Sequence, residues 1–110
     1  MAVWWGTPVE CTSALTRRQR GGEIDEAARD YGLAALESLS ERWNVIGPDA
    51  ALRAAAVRAV RVHGLSAGDA FQLAAAIEWT GGLPSGEEFV TVDRELRAAA
   101  SLEGFTVLPS

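Results

Sequence analysis

Three acids in this 110-residue chain each stand at the mouth of a helix-forming, alanine-rich run: Glu10 in PVECTSAL, Asp69 in LSAGDAFQLAAA and Asp93 in FVTVDRELRAAA. They are far apart in sequence but free to meet in space. Carboxylates gathered in one place repel one another unless a cation offsets them. Hard oxygen donors, without a His or Cys cluster, select Mg²⁺ or Mn²⁺ over Zn²⁺. The chemistry such a cluster supports is metal-assisted phosphodiester hydrolysis, with an activated water as nucleophile and a stabilised leaving oxygen. Each acid also has a purely structural reading. Asp93 is placed to cap a helix, Asp69 to close a capping box opened by Ser66, and Glu10 to complement a helix dipole. Spacing alone does not choose between these readings.

The elements that must position these acids alternate between strand and helix. Val3 to Trp5 reads as the end of a strand, with Thr7 as N-cap and Pro8 as the first residue of a helix reaching Arg20. Gly21-Gly22 ends it. A second helix is expected from Glu23 to Arg42, carrying Ile24, Ala27, Ala28, Tyr31, Ala34, Ala35 and Leu39 at helical spacing. Trp43 to Ile46 reads as a strand. Asp49 then caps a helix over Ala50 to His63, with an apolar stripe of Leu52, Ala56, Val57 and Val60, and Gly64 ends it. The helix from Ala70 to Trp79 is apolar nearly all round and is expected to be buried. Phe89 to Val92 reads as a strand, Asp93 caps a helix to Ser101, and Phe105 to Leu108 is the last strand. This alternation predicts an α/β fold with a parallel sheet covered on both faces, in one domain spanning residues 1–110. Ligands in such sheets bind at the carboxyl ends of the strands, which is where Asp93 falls.

Bulk composition narrows the classes. Hydrophobic residues make up 48% and charged residues 23%, a globular balance rather than a disordered one. The net charge of −5 excludes a non-specific nucleic-acid coat but not a nuclease that works through bound cations. All ten basic residues are Arg. Arg17, Arg18 and Arg20 read either as contacts to RNA phosphates or as a solvated helix end helped by the dipole. A single cysteine, Cys11, permits no internal disulfide, which suits a reducing cytoplasm. Cys11 itself is expected to be buried and inert, His63 to serve as a helix cap, and the four tryptophans to be core or dimer contacts. No apolar run is long enough to span a bilayer, and MAVWWGTP lacks the basic start of a signal peptide.

Read together and in order, VWWGTPVECTSALTR, LSAGDAFQLAAAI and FVTVDRELRAAASLEGFTVLP resemble PIN-domain ribonucleases, above all the VapC-type toxins of toxin–antitoxin modules. The resemblance covers Val3 to Pro109. It implies a PIN-like three-layer α/β/α domain, with Glu10, Asp69 and Asp93 as catalytic metal-site acids for Mg²⁺ or Mn²⁺. Thr91, in the T-x-D segment, is implied to order the site by hydrogen bonding. The implied activity is endoribonuclease cleavage, and the implied partners are an RNA substrate, a cognate antitoxin and a second copy of the chain. The family's opening strand, which carries a further aspartate, has no counterpart before Val3. The chain is therefore expected to be a PIN-like domain whose first, central strand is missing or incomplete. Two alternatives stay open: a catalytically inactive remnant that keeps an antitoxin-binding or dimer face, and an unrelated small α/β domain whose acids are only caps.

Overall fold

The computed structural model describes residues 2–110. The order of elements is β1 (Ala2–Trp4), α1 (Thr7–Arg20), α2 (Glu26–Ser40), β2 (Asn44–Ile46), α3 (Ala50–His63), α4 (Ala67–Trp79), β3 (Glu88–Val90), α5 (Arg94–Glu103) and β4 (Thr106–Leu108). The chain is thus an α/β protein. Its strands form two separate parallel pairs, β1 with β2 and β3 with β4, and not the single sheet expected from the alternation. Ala2 pairs with Asn44 in the first and Glu88 with Thr106 in the second. Among the described residues no strand joins the two pairs. Each strand has only three residues, so the pairs carry few ladder bonds and depend on the helices packed against them.

The core lies where α4 meets α3, β1 and α5. Ala70, Leu73, Ala74 and Ala75 of α4 are fully buried, as the all-round apolar pattern predicts. They meet Leu52, Ala56 and Ala59 of α3 and Leu96, Ala99 and Ala100 of α5. The buried stripe of α3 therefore runs through Ala59, whereas Val57 and Val60, expected inside, are exposed. Alanines let two helix backbones approach closely; a β-branched side chain at that seam would hold them apart. Phe89 of β3 packs against Phe105, with ring centroids 5.4 Å apart.

Local signals set the helix ends. Asp49 accepts from the Leu52 N–H at 2.7 Å, Ser66 from Asp69 at 3.3 Å, and Asp93 from Leu96 at 2.9 Å. Gly64 ends α3 at φ 68°, a left-handed conformation that costs a glycine little. Several ends differ from expectation: α4 begins at Ala67 rather than Ala70, α2 ends at Ser40 rather than Arg42, α5 runs on to Glu103, and two starts use other caps. The N-cap of α1 is Gly6, while Thr7 lies inside the helix with a buried hydroxyl that finds no partner. Helix α2 starts at Glu26, because Asp25 caps it by accepting from Ala28 at 2.7 Å.

Helices α1 and α2 form a hairpin that stands apart from this core. They cross closely at Gly32, where a Cβ would come within 3.1 Å of the Leu15 methyl carbons. No residue of α2 is buried. Its outer face, including Tyr31 and Leu39, is exposed, although helical spacing marked it as the packed side. The tryptophans divide likewise: Trp4 and Trp43 are half-buried, and Trp5 and Trp79 are exposed rather than core.

Candidate functional site

Glu10 and Asp69 line one open groove of about 600 Å³ between α1 and the start of α4. Each is positioned by the first turn of its helix, where the dipole favours an anion. Glu10 accepts a short hydrogen bond from Trp4 Nε1. Its other oxygen occupies the space a side chain at residue 68 would fill: a Cβ on Gly68 would overlap Glu10 Oε2. Gly68 thus lets α1 lay a carboxylate against the backbone of α4. Arg17 lines the same groove two helical turns beyond Glu10 on the same face, and Cys11 lines it too. Arg18 and Arg20 are exposed and do not line it.

The Asp69 carboxyl is held above its ordinary range, first by burial and then by the nearby charge of Asp93. The Ser66 hydroxyl opposes this through a hydrogen bond, while Glu10 and Glu95 add further repulsion. Three acids thus act on Asp69, although Asp93 and Glu95 do not line the groove itself. Among the described residues no group of three or more His, Cys, Asp and Glu side chains closes to metal-ligand distance.

Asp93 sits on a fastened turn. Thr91 Oγ1 accepts from the Asp93 N–H at 3.2 Å, and Asp93 caps α5. Arg97 then clamps the turn, donating to the Thr91 carbonyl at 2.8 Å and to the Pro109 carbonyl at 2.6 Å. Sequence reasoning missed Arg97, Gly68 and the indole of Trp4. The SAGD word put Gly68 beside an acid, but nothing local marks a partner one helix away.

The remaining singled-out residues lie elsewhere. His63 does not cap its helix; its Nε2 is 2.6 Å from Glu103 Oε2, which also accepts from Arg58 at 3.0 Å. Burial alone would raise the Glu103 carboxyl, but the His63 and Arg58 hydrogen bonds hold it below the ordinary value. Cys11 is half-buried rather than buried, and its thiol is pushed up by burial and by Glu10, so it is a weak nucleophile. No helix among the described residues is long and apolar enough to cross a membrane. Comparison with family models, with curated proteins and with solved structures gives no significant match.

Proposed function

We propose that this chain is a PIN-like domain of the VapC toxin type, acting as a Mg²⁺- or Mn²⁺-dependent endoribonuclease. The observation that carries this reading is the open groove lined together by Glu10 and Asp69, with Asp93 near enough to help raise the Asp69 carboxyl. Acids brought together without a salt bridge to any of them among the described residues are a cost that ligand binding accounts for. The donor chemistry fits a hard divalent ion, and Glu10, Asp69 and Asp93 would hold it. Such an ion, when bound, supplies an activated water and charge neutralisation for phosphodiester hydrolysis. The chain's own residues supply the rest. Thr91 and Arg97 fix the turn that presents Asp93. Gly68 leaves room for Glu10, and Arg17 offers a cation to an RNA phosphate along the groove. Calorimetric titration with Mn²⁺ tests the reading, using an Asp69→Asn/Asp93→Asn chain as control. Binding lost in the double variant, with RNA cleavage lost alongside it, supports the proposal. Equal Mn²⁺ binding by both chains overturns it.

A second reading is a catalytically inactive PIN remnant that binds a cognate antitoxin or a second copy of itself. Two observations favour it: the acids stop short of ligand distance, and the outer face of α2 exposes Tyr31 and Leu39. A folded chain that binds no Mn²⁺ and sediments as a dimer would select this reading; a monomer that cleaves RNA would exclude it.

A further inference from the structure

A second depression of about 370 Å³ lies on the other side of Trp4, within the roughly 300–1,000 Å³ range of small-ligand pockets. Its walls are Trp4, Trp5, Pro48 and Phe71, with Asp49 and Arg53 among them. Trp4 and Phe71 stack with centroids 4.3 Å apart and planes at 12°, which makes a rigid floor. Trp5 is not part of that stack; it is 60% exposed, an unusual state for a large indole next to an aromatic-lined hollow. Asp49 uses Oδ1 to cap α3, and its Oδ2 has no hydrogen-bond partner among the described residues. Trp4 links the two: its ring lines this pocket, while its Nε1 donates to Glu10, which lines the carboxylate groove.

We infer that this pocket receives one unpaired nucleobase of a single-stranded RNA, stacked on Trp5, while the adjoining backbone passes the groove lined by Glu10, Asp69 and Arg17. A flat ring suits an indole face and a proline edge, and stacking is tolerant of base identity. Arg53 complements the phosphate beside the base, and Asp49 Oδ2 accepts from an exocyclic amino group. In a chain of net charge −5, affinity for RNA must come from local contacts of this kind rather than from a general field. The inference rests on the RNA-directed reading of the groove and adds a subsite to it.

The test uses fluorescence anisotropy of a labelled six-nucleotide single-stranded RNA and an abasic oligomer of the same backbone. It is run with the full chain in EDTA, so that no cleavage intervenes. The base-bearing oligomer is expected to bind about tenfold more tightly than the abasic one. Trp5→Ala should remove that difference, and Trp5→Phe should keep most of it. Equal binding of the two oligomers, or an unchanged difference in Trp5→Ala, overturns the inference. Mn²⁺ calorimetry on the same preparations separates the two readings. If the base-dependent difference is missing while Asp69- and Asp93-dependent Mn²⁺ binding persists, the stacking subsite falls and the metal site stands. If base-dependent binding persists without Mn²⁺ binding, the stacking subsite stands on a non-catalytic RNA binder.

Discussion

At the seam between α3 and α5, the carboxylate of Glu103 meets Arg58 and His63 at bonding distance. In the groove between α1 and α4, Asp69 feels the charges of Asp93, Glu10 and Glu95, and no salt bridge reaches Glu10, Asp69 or Asp93 among the described residues. The two regions use the same functional group to opposite effect. Glu103 falls below its ordinary value because its surroundings favour the anion; Asp69 rises above it because its surroundings do not. A paired carboxylate ties two helices together. An unrelieved one weakens the fold, and in the function proposed above a bound cation would relieve it.

The sharpest way to break the comparison is at Glu103. Its neutral variant Glu103→Gln should lose about 1.5–3 kcal/mol of stability in urea denaturation at pH 7, because charge-assisted bonds are replaced by weaker ones. The pH dependence carries a definite sign. A carboxyl lowered on folding contributes stability above its unfolded value, about 4.3, and loses it as pH falls through the folded value. The parent chain should therefore weaken in that acid window, and Glu103→Gln should weaken less. An identical pH slope in both chains would show the seam to be ornamental.

Next in size is Gly68→Ala. The added Cβ must displace the Glu10 carboxylate and with it the Trp4 hydrogen bond, for a cost of about 1 kcal/mol. A double-mutant cycle makes this specific: in a Glu10→Ala background the same change should be neutral or stabilising, since alanine favours helix. If Gly68→Ala costs the same in both backgrounds, Glu10 does not rest there.

Asp69→Asn should have a smaller effect of the opposite sign, a gain below about 1 kcal/mol in the metal-free chain. A carboxyl raised on folding costs stability as pH climbs from its unfolded value, about 3.9, through the folded one, so the gain should grow across that range. A loss of stability at neutral pH would reverse the assignment of Asp69 to an unrelieved site. The smallest change is expected outside both regions. Tyr31→Ala on the open face of α2 should stay within about 0.5 kcal/mol. A clear loss at high protein concentration only would reveal a second copy covering that face.

Much of this organisation was legible in the residues. The caps at Asp49, Ser66 and Asp93 act through side-chain oxygens that any helix start needs, and the all-round apolar α4 is the hub of the core. What stayed hidden depends on partners distant in sequence. His63 and Glu103 are forty positions apart, and neither has a local signature. The stripe of α3 departs from the hydrophobic pattern because Val57 and Val60 outweigh Ala59 in hydrophobicity, whereas close helix packing selects the smaller residue. The two strand pairs could not be told from one sheet, since three-residue strands carry no information about their neighbours. In the groove, the acids were visible, but the glycine that seats Glu10 and the arginine that clamps the Asp93 turn were not.

The two strand pairs also set an order of assembly. Helices α3 and α4 adjoin across Gly64 to Ser66 and pack most extensively against each other, so their docking needs little chain closure. Pairing Glu88 with Thr106 encloses only α5, whereas pairing Ala2 with Asn44 must wait for a loop that contains the whole α1–α2 hairpin. The groove needs α1 laid against α4, so it is completed among the last steps. A refolding chain would acquire its helical centre first and its anion-rich face afterwards, and conditions that slow the late step would yield a compact protein without the groove.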